Sequence, residues 1–397
     1  MDLDNRIGAS LSTDYFLLRT EFTPAQLDHL TRTRAFVEQE VLPEINDYWE
    51  RAEFPRPLIE KLATVGIVGD GIAGYGCPDI DPLSAGLITM ELSRGDGSLA
   101  TFVGVQAGLA MRSIAMLGSE EQKQRWLPPM ARLEALGAFA LTEPDHGSDS
   151  IGLETTARRD DDHWVLDGHK KWIGNGTIAD VVVVWARDTT DGRVKGFLVE
   201  KGTPGYQARR IERKASLRAV WQAEIALEGV RVAEHDRLPG ANSFSDTARV
   251  LAATRSSCAW MALGHAVAGY DTALNYARRR RQFGHTLAHF QIVQQRLVRM
   301  LADVTAMQLY CLQTARLAER GALTDTLAGL AKLHNTTKAR TVLAEARDLL
   351  GGNGILLDFH VMRHMADIEA VHTFEGTETM QTLIVGRDIT GVSAFTH

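Results

Sequence analysis

Cysteine is nearly absent from this sequence. Cys77, Cys258 and Cys311 are the three in 397 residues, spaced too far apart for a disulfide framework or a metal cluster. Such usage fits a reducing compartment. Basic charge is not in excess either: 50 acidic residues face 43 basic ones, a net charge of −7, which excludes a dominant nucleic-acid surface. No apolar run approaches the roughly 18 residues of a membrane span. The opening Met1-Asp2-Leu3-Asp4-Asn5-Arg6 lacks the basic start and apolar core of a secretory signal. The closing Ala394-Phe395-Thr396-His397 is neither a prenylation box nor a peroxisomal Ser-Lys-Leu ending. These absences make a soluble cytoplasmic protein the expectation. P-loop and G-x-S-x-G motifs are also missing, which removes two common phosphate and nucleophile sites.

What is present is an ordinary globular composition, 45% hydrophobic and 23% charged, with length for two or three domains. The first third reads as helical. Thr23-Pro24 is a helix start, a hydroxyl N-cap followed by a proline whose missing N–H costs nothing there. Leu27, Leu30, Phe36, Val37 and Val41 recur near helical spacing until Pro43. Ser119-Glu120-Glu121-Gln122 is a capping box, and Pro128-Pro129 is expected to interrupt the helix that follows. After about residue 137 short β-rich runs take over, such as His163–Leu166, Val181–Trp185 and Gly196–Val199. Asp167-Gly168 and Asp191-Gly192 are hairpin-type signals, and the segment reads as a small antiparallel β domain. From about residue 246 the spacing is helical again over roughly 246–280, 287–320 and 324–350, until Gly351-Gly352-Asn353-Gly354 supplies a stop. The expected fold is mainly α with a central β domain: a helical domain over 1–136, a β domain over 137–245 and a helical-bundle domain over 246–397.

Three local patterns promise more chemistry than their context supports. Gly69-Asp70-Gly71-Ile72-Ala73-Gly74 fits G-x-G-x-x-G, whose mechanism needs a strand before it and a helix after. Loop text, Tyr75-Gly76-Cys77-Pro78, follows instead, so a glycine-rich loop is expected. The pairs His285/His289 and His360/His364 have zinc-ligand spacing but lack the metalloprotease glutamate, and read as surface or capping histidines. Arg278–Arg281 reads as a solvated face or an anion site.

Five segments carry more when taken together: Phe139–Asp149 (Phe-Ala-Leu-Thr-Glu-Pro-Asp-His-Gly-Ser-Asp), Lys171–Asn175 (Lys-Trp-Ile-Gly-Asn), Arg280–Gly284 (Arg-Arg-Gln-Phe-Gly), Leu350–Gly354 and Phe374–Thr377 (Phe-Glu-Gly-Thr). In this order and spacing the chain resembles the acyl-CoA dehydrogenase and acyl-CoA oxidase flavoproteins. Within them it looks most similar to the group containing glutaryl-CoA dehydrogenase and the plant short-chain acyl-CoA oxidase. The α–β–α order is also that family's. The resemblance implies removal of hydrogen from Cα and Cβ of an acyl-CoA thioester to give the trans-2-enoyl product, with FAD N5 taking the β-hydride, a reaction of β-oxidation type.

By resemblance Glu375 is the base for the weakly acidic α-proton. Its backbone N–H and the flavin ribityl 2′-hydroxyl would bind the thioester oxygen as charge develops there. Some relatives carry the base at the position of Thr254, and threonine cannot serve. The resemblance assigns Phe139, Leu141, Thr142, Gly147 and Ser148 to a loop along the isoalloxazine, and Trp172, Ile173 and Gly174 to flavin packing. Arg280, Phe283 and Gln291 match contacts to the phosphate and adenosine end, with Gly351, Gly352, Thr377 and Phe395 completing the cofactor set. Ser148, Leu251, Arg255, Phe374 and Gly376 are the implied substrate contacts. Some cofactor contacts cross a subunit boundary in the family, which implies an oligomer, a homotetramer, with an electron-transfer flavoprotein as the electron-accepting partner.

Two departures bear on substrate and acceptor. Where glutaryl-CoA dehydrogenases hold the distal carboxylate of their substrate with an arginine and a glutamate, this chain has Ala100 and Ser93, and Arg94 is out of register. Burying an unpaired carboxylate is costly, so an uncharged short-to-medium acyl chain is expected. Gly174 stands where dehydrogenases commonly place a hydroxyl, and the plant oxidase shares this glycine. Open space there would favour reaction with oxygen and keeps an oxidase as the alternative. A flavin-binding module without turnover is the third reading, which the retained Glu375 argues against.

Overall fold

The computed structural model describes residues 13–394. The first domain is helical: α1 (Pro24–Phe36), α2 (Ile45–Arg51), α3 (Arg56–Ala63), α4 (Pro82–Gly95), α5 (Gly97–Val103), α6 (Arg112–Leu117) and α7 (Glu120–Ala131). Helix α1 begins on the expected Thr23 N-cap, which proves to be a full capping box. Thr23 Oγ1 accepts from Gln26 N at 3.3 Å, and Gln26 Oε1 accepts from Thr23 N at 2.9 Å. It runs on through a π-helical turn, Val37–Val41, and stops ahead of Pro43. The glycine-rich segment 69–76 is a loop between α3 and α4 with no strand before it, which disposes of the dinucleotide pattern.

Two expectations fail in this domain. Pro128 and Pro129 lie inside α7 and do not interrupt it. They sit in its closing turn, where the loss of two N–H donors is confined to the helix end. Pro129 O then closes that end, accepting from Glu134 N at 2.9 Å and Ala135 N at 3.2 Å. The helical run Gly97–Leu117 does have the length and apolar composition of a span, because its scattered polar residues hide a long apolar stretch. One of them, the fully buried Gln106, gives the run another purpose. Its Nε2 donates to Met130 O (3.0 Å) and Ala135 O (2.9 Å), and its Oε1 accepts from Gly137 N (2.7 Å). The helix is thereby the bed on which the first strand is laid.

The middle domain is one seven-stranded sheet of β1 (Gly137–Ala140), β2 (Thr156–Asp160), β3 (His163–Gly174), β4 (Val181–Asp188), β5 (Val194–Glu200), β6 (Tyr206–Arg210) and β7 (Gln222–Ala233). Most pairs are antiparallel, but β4 runs parallel to both β1 and β2, so the sheet is mixed and not purely antiparallel. The crossover segment 141–155 that leaves β1 makes this geometry. Asp191-Gly192 joins β4 to β5 as expected. Asp167-Gly168 does not turn the chain: it lies within β3 at a register shift against β7, and Gly168 has φ 152°. A Cβ there would stand 2.5 Å from Thr155 Oγ1, so this Asp-Gly marks a bulge. The β2–β3 turn is Asp161-Asp162.

The last domain packs α8 (Phe244–Arg279), α9 (Gln291–Glu319), α10 (Asp325–Leu349), α11 (Val361–Thr373) and α12 (Glu378–Thr390), with a short hairpin of β8 (Arg281–Gln282) and β9 (His285–Thr286) after α8. Gly351, at φ 60°, ends α10 where the glycines predict. His364 is not a surface or capping residue. It is buried in α11, its Nδ1 2.8 Å from Nδ1 of the equally buried His265. Burial pushes both imidazoles down, His265 to about 3, so the pair is neutral. His285 and His289 do lie at the surface, with rings stacked 4.2 Å apart.

A buried charge cluster ties the three parts together. Arg363 Nη1 meets Asp96 Oδ2 at 2.6 Å, its Nη2 donates to Gly95 O at 3.0 Å, and its Nε donates to Asn46 Oδ1 at 3.0 Å. One turn on, Asp367 Oδ1 accepts from Leu217 N (2.6 Å) and Trp49 Nε1 (2.9 Å). Arg363, Asp96 and Asp367 are fully buried; burial and the Asp96 charge push the Asp367 carboxyl up to about 7. Arg363→Met leaves two buried carboxyl groups without their cation. It is expected to cost about 3–5 kcal/mol of unfolding free energy in denaturant titrations.

Candidate active site

Glu375 stands in the link between α11 and α12, and it is one of few non-glycine residues in the left-handed region, at φ 56°, followed by Gly376 at φ 86°. Side chains hold such a conformation in place. Lys332 Nζ, from α10, donates to Phe374 O at 2.6 Å and also to Gly376 O. Gln381 Nε2, from α12, donates to Glu375 O (3.0 Å) and Gly376 O (3.2 Å). A Cβ on Gly376 would lie 2.4 Å from Gln381 Nε2, so glycine is required at that point by space as well as by φ. Thr377 caps α12, its Oγ1 accepting from Met380 N at 3.3 Å.

Helix α8 presents the facing residues. Thr254 Oγ1 donates to Glu375 Oε2 at 3.2 Å and to Leu251 O at 2.9 Å. The hydroxyl on α8 and the carboxylate on the α11–α12 link are therefore in contact, one holding the other. Arg255 pairs with Asp325 at the start of α10. Burial raises the Glu375 carboxyl above its ordinary range, opposed by the Thr254 hydroxyl and by the Arg255 and Lys332 charges. Leu251 and Phe374 are half-buried against the main core. Ser93 Oγ is committed to Met261 O at 2.8 Å, and Ala100 is buried. Arg94 reaches Glu91 (2.8 Å) and Glu38 (3.1 Å), so it is held in an internal network.

A second group lies on the β domain. Phe139 is buried with its ring 5.7 Å from that of Trp185, and Leu141 is buried. Thr142 O accepts from Lys171 N at 2.8 Å. Gly147 and Ser148 are exposed, and the Gly147 Cα faces open space. The loop is bolted to β3 by a buried ion pair. Lys170 Nζ reaches Glu143 Oε1 (2.8 Å) and Leu141 O (3.1 Å), while Glu143 also accepts from Thr155 N (2.9 Å) and Glu154 N (2.6 Å). Burial would raise the Glu143 carboxyl, but the Lys170 charge and these donors outweigh it and hold it at about 2; burial pushes Lys170 down to about 8. Next along β3, Trp172 is left-handed (φ 63°) and 56% exposed, and Ile173 is buried. An exposed indole beside an exposed glycine loop suits a planar aromatic ligand.

Gly174 corrects one expectation. The space beside it is not open: a Cβ there would meet Val105 Cγ2 at 2.8 Å. Val105, from the π-helical segment Gly104–Met111, fills the room that the missing side chain vacates.

A third group surrounds the β8–β9 hairpin. Arg280, Phe283 (90% exposed) and Gln291 are at the surface, as are Gly351 and Gly352, which have open space around them. Asn353 Nδ2 donates to Tyr276 OH at 2.9 Å and docks the glycine segment on the last turns of α8. Among the described residues no hydrogen bond, ion pair or ring contact joins this group to Glu375. Phe395 lies outside the described residues. The sequence reading did not find Lys332, Gln381, Lys170, Glu143 or Val105. Of these, Lys332 interrupts apolar text (Leu-Ala-Gly-Leu-Ala-Lys-Leu), the one signal that was available, while Lys170 and Glu143 stand among polar neighbours.

Family models for the acyl-CoA dehydrogenase N-terminal, middle and C-terminal domains match residues 23–134, 138–230 and 244–390. The chain belongs to the acyl-CoA dehydrogenase family. It is 31% identical over 361 residues to a 3-(aryl)acrylate reductase of Clostridium sporogenes, spanning 90% of this chain and 96% of that one. It is 32% identical over 361 residues to a short-chain-specific acyl-CoA dehydrogenase of Clostridium acetobutylicum, spanning 90% and 95%. A glutaryl-CoA dehydrogenase structure from Mycobacterium smegmatis superposes with TM-score 0.93 at 40% identity, over 95% of this chain and 97% of that one. A glutaryl-CoA dehydrogenase from the same organism in complex with FADH2 gives TM-score 0.92 at 38% identity, over 94% and 97%.

The Val105–Gly174 contact is testable through stability. Gly174→Ser overpacks this point and is expected to cost about 1–3 kcal/mol, and Val105→Ala in the same chain is expected to recover most of it. Additive losses in a double-mutant cycle would show that the two residues do not touch.

Proposed function

We propose that this protein catalyses FAD-dependent α,β-dehydrogenation of an uncharged short-to-medium acyl-CoA to the trans-2-enoyl-CoA. The observation that carries the reading is the half-buried Glu375 carboxylate on its left-handed loop, held by the Thr254 hydroxyl. FAD, when bound, supplies the acceptor for the β-hydride. The family, the exposed Trp172 and the open glycine segments at 147 and 351–352 fit such a cofactor, with Phe139, Leu141, Thr142, Ser148, Ile173, Gly174, Arg280, Phe283, Gln291 and Thr377 as its further contacts. Arginine suits the pyrophosphate because it forms bidentate, charge-assisted bonds.

In this reading Glu375 takes the α-proton. A carboxylate whose pKa is raised by burial is the stronger base, and the Thr254 hydroxyl with the Arg255 and Lys332 charges opposes that rise. The Glu375 N–H polarises the thioester oxygen, Gly376 lets the backbone pass close to the substrate, and Ser148, Leu251, Arg255 and Phe374 line its path. With Ser93 and Arg94 committed elsewhere and Ala100 apolar, no cation is offered to a distal carboxylate, which disfavours glutaryl-CoA. Val105 closes the space beside Gly174, which favours an electron-transfer flavoprotein over oxygen as acceptor. The exposed Phe283, Ile292, Val298 and Ile355 suit burial in a homotetramer, and a cytoplasmic location is proposed with it.

Purified protein is expected to be yellow and to bleach anaerobically with butyryl- or hexanoyl-CoA faster than with glutaryl-CoA. Glu375→Gln should keep the colour and lose bleaching by about 100-fold or more; bleaching at the wild-type rate would remove Glu375 from its role. The base acts deprotonated and its pKa is raised, so the bleaching rate should climb with pH through a midpoint above the ordinary carboxylate range. In air, hydrogen peroxide should form more slowly than an artificial acceptor is reduced.

A further inference from the structure

Lys332 is almost completely buried, 1% exposed, within α10. Among the described residues no carboxylate lies within ion-pair distance of it. A buried ammonium without a counter-ion is costly, and this one commits its protons to two peptide carbonyls, those of Phe374 and Gly376. Gln381, fully buried, takes the carbonyl between them. Three successive carbonyls of the Glu375 loop are therefore gripped by two side chains from neighbouring helices. In a planar trans peptide the C=O and the N–H point to opposite sides. Holding Phe374 O thus fixes the direction of the Glu375 N–H, because both belong to one peptide plane.

We propose that Lys332, seconded by Gln381, is the positioning residue of this site: it turns the Glu375 N–H toward the thioester oxygen and holds Glu375 in its left-handed conformation. This rests on the reading of Glu375 as base and oxyanion donor. Lys332 touches no substrate; it acts through the peptide plane. Removing it frees the plane to rotate, and the donor is lost even though every substrate contact remains.

The test uses FAD-loaded full-length Lys332→Met, with Glu375→Gln in parallel. Anaerobic bleaching by butyryl-CoA is expected to slow about 10- to 100-fold in Lys332→Met, the cost of a misplaced oxyanion donor. S-butyl-CoA, a thioether without the carbonyl oxygen, reads the rest of the pocket. Its affinity should be unchanged in Lys332→Met while the affinity for butyryl-CoA, compared in the Glu375→Gln background, falls. Bleaching at the wild-type rate, or an equal loss of affinity for thioester and thioether, would overturn the assignment. Should Lys332→Met not fold, Lys332→Gln, which is polar but too short to hold the Phe374 and Gly376 carbonyls together, decides by the same comparison. Wild-type bleaching in Glu375→Gln would sink the base reading itself, separately from any result at Lys332.

Discussion

The buried Arg363 guanidinium is the constraint on which the arrangement depends. Deprived of water, it must find every partner inside the protein, and it finds them at the α4–α5 junction and in the first turn of α2. Asp367, one turn along the same helix, does the same for Trp49 of α2 and Leu217 of the middle domain. Few relative placements of these elements satisfy so many polar groups at once, so the cluster acts as a registration point. Apolar packing alone would tolerate small slips between the parts. Helix α11 then leads into the link that carries Glu375, so the same helix that locks the domains also sets where that link begins.

The site repeats this logic on a smaller scale. Two of the segments around the site are loops pinned by a buried lysine. Lys170 pins the 141–143 segment to β3, with Glu143 as counter-ion. Lys332 pins the 374–376 segment to α10, with carbonyls alone as acceptors. Loops adapt to ligands easily but hold geometry poorly, and a buried cation supplies the missing rigidity without occupying the ligand's space. Around these fixed points the surfaces left open are those a planar cofactor needs: an exposed indole, exposed glycines and an exposed hairpin.

Several features could be read along the chain because they depend on neighbours in sequence. Thr23 and Ser119 cap helices through residues three positions away, and Gly351 ends α10 through its own φ. The same kind of reading failed where the deciding partner was distant. Asp167-Gly168 has turn chemistry, yet Thr155 and β7 make it a bulge. His364 looks like half of a surface pair until α8 brings His265 against it. Gly174 suggests open space until Val105 arrives from the helical domain.

The amino-acid sequence by itself determined the order of helical and β-rich segments, their caps and stops, and the run of motifs that includes Phe374-Glu375-Gly376-Thr377. These are local matters, set by hydrogen bonds and side-chain spacing over a few residues. Only the tertiary structure decided that Thr254 supports Glu375, that Lys332 and Gln381 orient its peptide planes, and that two buried carboxyl groups share one arginine. Apart from Gln381, which lies six positions from Glu375, those contacts join residues between 42 and 267 positions apart. No local pattern encodes them, because burial turns a polar side chain from a solvated bystander into a group that must find its partner in the fold.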